Sequence, residues 1–362
     1  MEDLRYFRLS DPALKKIAQT LIERGRLNYE QGLTLFRSPD LLGIGRLARW
    51  VKEQRYGKEI TYVLNQQVNP TNLCVNACVF CDFAAKPRDA HAYELTVEQI
   101  ITSINPQIRE VHIVSGLHPY WPYNRYLELI QKIHQTYPHL QIKAWTAVEI
   151  DWFAYLTRRP VRDILLEMQM AGVDSLPGGG AEVFSQRVRK VLFKSKINAE
   201  RWREIHRCAH EIGMKSNATL LYGHMETLEE RVDHLLQLRA LEDEAPGFLA
   251  FIPLSYQKGN SQVIAREVPP AEDLRTIAVS RLLLDNFPHI KAYWVMLGLS
   301  TATMALSFGA DDLDGTIGCE RIAHASSAKT PEKLAQQTIL NIIHDAALIP
   351  QERDALHQLV TF

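Results

Sequence analysis

Three cysteines that fall within eight residues have the types and the spacing to do chemistry: Cys74-x3-Cys78-x2-Cys81. Three thiolates on one short loop can each bind one iron of a cubane [4Fe–4S] cluster, and the fourth iron then lacks a protein ligand. Structural zinc sites usually take four ligands from two paired elements, but the remaining Cys208 and Cys319 are isolated in the sequence. The spacing therefore favours an iron–sulfur cluster with one open iron over a zinc site or a closed four-cysteine cluster.

An open iron has a specific chemical use. S-adenosylmethionine (SAM) can chelate it through the methionine amino and carboxylate groups, and the reduced cluster can then pass one electron into the sulfonium. The sulfonium cleaves to methionine and a 5′-deoxyadenosyl radical. A cluster with four cysteine ligands would be coordinatively closed and better suited to electron transfer alone.

Composition sets the outer limits on the kind of protein. The chain has 362 residues, 46% hydrophobic residues and a formal net charge of -1, which is typical of a globular protein with a sizeable core. Near-neutral charge gives no support for nucleic acid or an acidic membrane as partner. The N-terminal residues lack a signal peptide pattern, and no apolar run is long enough to span a bilayer. Five cysteines, three of them clustered, predict a metal site in a reducing cytoplasm rather than a disulfide framework.

From about residue 59, short β-type segments alternate with amphipathic helices, which indicates parallel strands joined by right-handed crossovers. The predicted strands are 61–68, 110–116, 140–148, 173–178, 214–223, 247–254, 289–297 and 311–316. Eight such units favour an α/β fold with a TIM-like (β/α)8 barrel. We expect the barrel over residues 58–329, an N-terminal helical extension over 1–57 and C-terminal closing helices over 330–362. The cysteines then lie in the first βα loop, on the catalytic face.

The cysteine loop resembles that of radical SAM enzymes. Over most of its length the chain resembles a narrower group, the enzymes of the futalosine pathway of menaquinone biosynthesis and the related deazaflavin-cofactor synthases. The matching segments are NPTNLCVNACVFCDFA (69–84), VHIVSGLHP (111–119), IKAWTAVEI (142–150), PGGGAEVF (177–184) and AHEIGMKSNATLLYGHMET (209–227). Within the group, PGGGAEVF and SNATLLYGHMET favour the aminofutalosine synthases over the dehypoxanthine futalosine cyclases.

The resemblance implies a [4Fe–4S] cluster, SAM and the small-molecule substrate 3-[(1-carboxyvinyl)oxy]benzoate. The adenosyl radical would add to the vinyl ether and carbon dioxide would leave, giving 6-amino-6-deoxyfutalosine. A flavodoxin or ferredoxin would supply the electron. The alternatives are the futalosine cyclase, a deazaflavin synthase subunit or, in a different class, a non-catalytic iron–sulfur electron carrier.

The expected SAM contacts follow from this resemblance and from positions at the catalytic rim. The ring of Phe80 would shield the cluster and flank the adenine. Gly116 lets a backbone turn approach a ligand closely, and Glu149 could accept hydrogen bonds from the ribose or the amino group. The complete set of SAM candidates is Phe80, Ser115, Gly116, Glu149, Tyr222 and Gly223.

The substrate has two carboxylates, so cationic or donor groups must meet them. Gly179 and Gly180 precede a predicted helix, where backbone N–H groups suit an anion, and Asn217 could point into the barrel. The full set of substrate candidates is His118, Gly179, Gly180, Arg189, Asn217 and His224, with Lys258 as a further cation.

Two other patterns have ordinary structural interpretations. His206 and His210 share one helix face, but Arg207 occupies the position where the zinc-protease pattern needs a glutamate. We expect this pair to serve packing or the surface. The acidic run at 311–315 does not match a calcium loop, and we expect it at the barrel mouth.

Overall fold

Three helices precede the barrel. The computed structural model describes residues 7–261, 263 and 266–360, and in it the N-terminal helices are α1 (Ala13–Ile22), α2 (Tyr29–Arg37) and α3 (Leu41–Tyr56). The side chain of Asn28 accepts from the N–H of Gln31 and starts α2, and Asp40 caps α3 in the same way. The predicted helical extension packs against two helices of the barrel, Leu228–Glu244 and Pro270–Leu283.

The strands form two sheets in which every strand pair is parallel. The seven-stranded sheet has the order β2-β3-β4-β5-β6-β7-β8, and the three-stranded sheet has the order β10-β1-β9. The strands are β1 (Glu59–Val63), β2 (Asn65–Val68), β3 (Glu110–Ile113), β4 (Gln141–Ala144), β5 (Val173–Leu176), β6 (Lys215–Tyr222), β7 (Phe248–Ser255), β8 (His289–Ile290), β9 (Asp312–Gly315) and β10 (Ile349–Glu352).

The two sheets join into one barrel. Beside β8, the N–H of Ala292 donates to the carbonyl of Asp312 at 2.8 Å, and on the other side the N–H of Gln67 donates to the carbonyl of Ile317 at 2.7 Å. Only Leu64 separates β1 from β2. The TIM-like α/β fold predicted from the alternation is therefore confirmed, with the predicted first strand, 61–68, divided between both sheets.

Helices connect the strands and cover the outside. They are α4 (Val97–Ser103), α5 (Tyr123–Thr136), α6 (Ala147–Thr157), α7 (Val161–Ala171), α8 (Gln186–Leu192), α9 (Ala199–Glu211), α10 (Leu228–Glu244), α11 (Pro270–Leu283), α12 (Trp294–Leu297), α13 (Leu299–Ala305), α14 (Ile322–Ala325) and α15 (Gln336–Asp345). His206 and His210 on α9 are buried and both contact the hydroxyl of Ser216, at 2.9 and 2.7 Å. The packing interpretation of this pair is confirmed. Among the helices described, none combines the length and the apolar composition that crossing a bilayer requires.

Two predicted strands are too long. Residues 140–148 are extended only to Ala144, because Thr146 and Glu149 form a capping box that starts α6. Residues 289–297 are extended only to Ile290, and 294–297 form α12, where the indole of Trp294 donates to the carbonyl of Gly315 at 2.9 Å. Residues 312–315 of the acidic run form β9, in agreement with the strand predicted over 311–316, and the run is buried rather than part of a loop at the barrel mouth.

The C-terminal segment also differs from the predicted closing helices. Only α15 is helical, and β10 pairs with β1, with Tyr62 opposite Glu352. Arg353 follows β10, is fully buried, and donates to the carboxylate of Asp312 on β9 at 2.5 Å. Burial opposes the charge of Arg353, but Asp312 more than compensates and raises the pKa of the guanidinium. This ion pair fastens the tail to the base of the barrel.

We expect Arg353→Leu to lower the free energy of unfolding by about 3–5 kcal/mol, since it leaves a buried carboxylate without its cation. Urea denaturation followed by circular dichroism measures this. The matched control is Arg162→Leu on the exposed face of α7, which should change the value by less than about 0.5 kcal/mol. Equal effects of the two variants would show that the buried ion pair does not fasten the tail.

Candidate active site

A cavity of about 320 Å³ opens between the barrel interior and the loops that follow its strands. The carboxyl ends of parallel strands share one rim, and ligands bind there in barrels of this type. Residues from the cysteine loop, from the loops after β3, β4 and β5 and from inside the barrel line the cavity together. Of the predicted residues, those that line it are Cys74, Phe80, Cys78, Cys81, Ser115, Gly116, Glu149, Gly179, Gly180 and Asn217.

The cysteine loop is held by its own backbone and by one lysine. The N–H of Cys74 donates to the carbonyl of Ala85 at 3.1 Å, and the N–H of Val75 donates to that of Leu117 at 2.9 Å. The ammonium of Lys86 donates to the carbonyl of Cys74 at 2.7 Å. These contacts turn the loop so that all three thiols face one cavity.

The three thiols fit a shared cluster. All are free of disulfides, and the N–H of Leu117 donates to the sulfur of Cys74 at 3.4 Å. No three His, Cys, Asp or Glu side chains within the described ranges converge on a single metal-ion position. A cluster that distributes its ligands over several irons therefore suits these thiols better than one zinc ion does.

Burial and one cation set the charge of the thiols. Burial raises the pKa of Cys78 to about 11 and raises that of Cys81, while the nearby ammonium of Lys196 opposes both shifts. Lys196 forms an ion pair with Glu182 and lies 5.3 Å from the centre of the Phe80 ring. Burial therefore keeps Cys78 and Cys81 neutral until a metal displaces their protons, and Lys196 is placed to balance the thiolates that result.

The turn after β3 comes as close to the cysteine loop as the backbone allows. The N–H of Gly116 donates to the carbonyl of Thr71 at 2.9 Å, and a Cβ at Gly116 would lie 2.3 Å from the carbonyl oxygen of Leu73. Only glycine fits here, because the turn packs directly on the backbone of the cysteine loop. Ser115, its neighbour, contacts Glu149.

Glu149 receives four hydrogen bonds at the rim. One oxygen accepts from the N–H and hydroxyl of Ser115 at 2.7 and 3.2 Å, and the other accepts from the N–H and hydroxyl of Thr146 at 2.7 and 2.9 Å. Burial raises the pKa of Glu149 to about 7, against these hydrogen bonds, which lower it. The carboxylate thus fixes the start of α6 and the turn after β3, and it presents a titratable acceptor to the cavity.

Five predicted contact residues lie outside the cavity because each has another partner. The Nδ1 atom of His118 accepts from the N–H groups of Tyr120 and Trp121, both at 3.1 Å. His224 is paired with Glu226 at 2.9 Å. These two histidines organise loops and do not reach the site.

The other three are Arg189, Tyr222 and Gly223. Arg189 donates to the carbonyls of Lys194 and Lys196, at 3.2 and 2.5 Å, and so shapes the loop that carries Lys196. Tyr222 donates to Asp273 at 2.6 Å below the rim. Gly223 has a φ of +91° and forms the turn that follows β6. Lys258 is exposed and is not among the cavity-lining residues.

The structure adds polar residues that the sequence interpretation missed. His112 on β3, Lys143 on β4, Lys291 after β8 and Asp314 on β9 all line the deep end of the cavity, and we call these four the cavity floor. Lysine is almost never fully buried without a function or a partner, so the lysines inside the apolar segments IKAW and HIKAY were the signal that could have revealed them.

Comparisons with known proteins agree with this architecture. The radical SAM superfamily domain matches residues 68–238, and the CofH/MqnC C-terminal region matches residues 245–362. The chain is 43% identical to the aminodeoxyfutalosine synthase of Thermus thermophilus over 362 aligned residues, 97% of each protein. It is 39% identical to that of Streptomyces coelicolor over 367 residues, which cover 97% of this chain and 95% of the relative.

A second kind of relative is also similar. The 5-amino-6-(D-ribitylamino)uracil–L-tyrosine 4-hydroxyphenyl transferase of Methanopyrus kandleri is 34% identical over 325 residues, 87% of this chain and 88% of that protein. Among solved structures, methylornithine synthase superposes with a TM-score of 0.72 at 17% identity, covering 92% of this chain and 96% of that one. That likeness concerns the fold alone.

Fold and site together define a barrel enzyme that carries a three-thiolate loop at the mouth of a deep cavity. The chain belongs to the radical SAM superfamily, in the group with the CofH/MqnC C-terminal region. Membership in this family implies a [4Fe–4S] cluster and SAM, and the donor set of the cavity rim fits both.

We expect Cys74→Ala, Cys78→Ala and Cys81→Ala each to abolish the cluster, because two thiolates leave two irons without a protein ligand. Iron content and the visible absorption of anaerobically reconstituted protein measure this. Cys208→Ala, outside the cavity, is the matched control and should keep the iron content of the parent. Full iron content in any of the three rim variants would contradict the assignment.

Proposed function

We propose that this radical SAM enzyme is an aminofutalosine synthase, which joins the adenosyl group of SAM to 3-[(1-carboxyvinyl)oxy]benzoate and releases carbon dioxide. The observation that carries the proposal is the 43% identity to an aminodeoxyfutalosine synthase over 97% of both proteins. The cavity supports it, since its volume of about 320 Å³ is suited to small molecules. The product would be 6-amino-6-deoxyfutalosine, and menaquinone biosynthesis would be its use.

When bound, the cluster and SAM supply a 5′-deoxyadenosyl radical. Cys74, Cys78 and Cys81 would hold the cluster, and Lys196 balances their charge. Ser115, Gly116 and Glu149 line the rim beside Cys74 and offer hydrogen-bonding groups to SAM. Phe80 closes the same side with its ring, which packs edge-on against Phe193 at 6.0 Å.

The remaining task of the chain is confinement, because a primary carbon radical attacks most organic molecules. The walls below the rim are largely apolar, and they include Val114, Leu221, Ile252, Leu254 and Met296. Such walls exclude water and hold a planar substrate so that its vinyl carbon lies next to the radical carbon. An electron donor of the flavodoxin or ferredoxin type and a cytoplasmic location complete the proposal.

The second candidate is a deazaflavin-related transferase, which the 34% identity to the Methanopyrus kandleri enzyme favours. The futalosine cyclase is a third, because its group shares the C-terminal region. The reactions differ in the fate of adenosine. The synthase incorporates it into the product, whereas the cyclase abstracts hydrogen and releases 5′-deoxyadenosine.

Anaerobic turnover with reduced enzyme, SAM and the vinyl ether therefore tests the proposal directly. We expect mass spectrometry to find one adduct that contains the adenosyl group and has lost the mass of carbon dioxide. Repeating the assay with 5-amino-6-(D-ribitylamino)uracil and tyrosine is the control. An adduct from that pair, and none from the vinyl ether, would replace the synthase with the transferase.

We also expect the affinity for SAM to rise between pH 6 and pH 8. The pKa of Glu149 is raised to about 7, so the carboxyl is mostly neutral at the lower pH and ionised at the higher one, and the ionised form is the stronger acceptor. Equilibrium dialysis with the reconstituted protein measures the change, on the order of 5- to 10-fold. Glu149→Gln should flatten this dependence; an unchanged pH profile in that variant would exclude Glu149 as the titrating contact.

A further inference from the structure

The cavity floor is built from strands in direct register. Gln67 on β2 lies opposite His112 on β3, and His112 lies opposite Lys143 on β4. Neighbouring residues in a parallel register have their side chains on the same face, and these three face the barrel interior because all of them line the cavity. Two residues further along β3, Val114 forms the next inward layer. The floor therefore lies about 7 Å deeper than that layer.

Two cations and one carboxylate face the cavity at this depth, and the carboxylates of Glu110 and Asp312 lie behind them, outside the lining. The two cations are Lys143 and Lys291, and the carboxylate is Asp314. Lys143 is paired with Glu110 at 2.6 Å, and Lys291 lies 3.4 Å from Asp314. Each ammonium has three N–H donors, so each retains donors that a ligand in the cavity can use.

His112 supplies a neutral polar group between the cations. Burial, together with the ammonium groups of Lys143 and Lys291, lowers the pKa of His112 to about 3. The carboxylate of Glu110 opposes this shift. Its buried Nε2 atom has no hydrogen-bond partner among the described residues, and the same holds for Oδ1 of Asn217, a cavity residue only 2% exposed. Unpartnered buried polar atoms are costly, and two of them here indicate a polar ligand.

The shape of the proposed substrate determines which of its ends reaches this floor. The vinyl carbon must lie at the rim, next to the cysteine loop. The carboxylate on the benzoate ring is meta to the ether oxygen, at the end of the molecule remote from the vinyl carbon. With the vinyl carbon at the rim, this ring carboxylate points down the barrel.

The geometry points to the cavity floor as a carboxylate-binding subsite, in which Lys291, Lys143 and His112 hold the ring carboxylate of the substrate. This assignment rests on the proposed function and deepens it. It replaces Arg189, His118 and His224 as carboxylate partners, since these three are bonded elsewhere. The floor residues fix the depth of the substrate and take no part in forming the radical.

The test compares two compounds in anaerobic turnover with the reconstituted holoenzyme: the vinyl ether and 2-phenoxyacrylate, which lacks only the ring carboxylate. A charge-assisted hydrogen bond contributes on the order of 10- to 100-fold, so the parent enzyme should prefer the full substrate by at least that ratio of kcat/KM. In Lys291→Met the ratio should fall towards 1, and Lys291→Arg should restore part of it.

Two further variants distinguish loss of the subsite from misfolding and from a nonspecific loss of activity. His112→Phe removes a neutral group and leaves both lysines in place, and it should lower the same ratio. Lys329→Met removes a lysine whose side chain is 88% exposed, and it should leave the ratio unchanged. In Lys329→Met, SAM cleavage without substrate should also proceed at the parental rate. A parental ratio in folded Lys291→Met and His112→Phe would overturn the subsite.

Failure of the proposed function gives a different result. If the parent enzyme forms no adduct from the vinyl ether, the synthase proposal falls, and calorimetric titration with 3-methoxybenzoate then tests the floor by itself. Binding to the parent that weakens at least about 10-fold in Lys291→Met supports a carboxylate subsite. Equal binding to both proteins, or binding to neither, excludes it.

Discussion

Charged side chains buried inside this barrel must be neutralised by one another, because burial opposes an isolated charge. Asp312 is at the centre of this constraint: it accepts from Arg353 at 2.5 Å and from the hydroxyl of Thr61 at 2.8 Å. These contacts join β1, β9 and the C-terminal tail. Lys291 lies 3.9 Å from the same carboxylate and faces the cavity. The ion pairs that close the barrel therefore also determine which cations a ligand meets at the floor.

The two ends of the cavity have different electrostatic tasks. At the rim, a cluster with three thiolates brings negative charge, and Lys196 is the cation beside it, paired with Glu182. Arg189 donates to the backbone carbonyls of Lys194 and of Lys196 itself and so positions this lysine. Removing Arg189 would thus act on the cluster through Lys196, rather than on the substrate. At the floor, Lys143 and Lys291 face the ligand directly.

The sequence was a good guide wherever chemistry follows from position along a parallel strand. Cys74, Ser115 and Glu149 come just after strands, so the topology alone places them at one rim. For the histidines predicted to contact the substrate, other partners determine whether the side chain faces the cavity. His118 and His224 have suitable side chains, but Glu94 and Glu226 lie 3.0 and 2.9 Å from them, and no local pattern reveals such pairs.

The C-terminal strand β10 likewise depends on a partner, one that is distant in the sequence. Residues 349–352 form a strand because the edge of β1 is there to accept it, and a pairing across almost 300 positions of sequence leaves no periodic signal. Lys143 and Lys291 were missed for a related reason. A single lysine in a strand does not change the alternation that predicts the strand. A lysine in an apolar strand of a barrel must nevertheless find either a buried carboxylate or a ligand.

Relatives with differently named reactions are both similar to this chain over most of its length, so overall similarity does not decide which substrate reacts. Selection must come from what holds the substrate and how deep it lies. In this chain the walls between the rim and the floor are largely apolar. Such walls can pack against a planar molecule in either orientation, so they do not select which of its ends lies at the floor. Below these walls, Lys143 and Lys291 offer positive charge, and a substrate with an anionic far end uses it. A ligand without that group desolvates two ammonium groups without compensation and leaves the Nε2 atom of His112 without a partner. Unpaired buried polar groups discriminate against such a ligand more strongly than a missing apolar contact would. Specificity in this barrel is therefore decided at the end of the cavity farthest from the cluster.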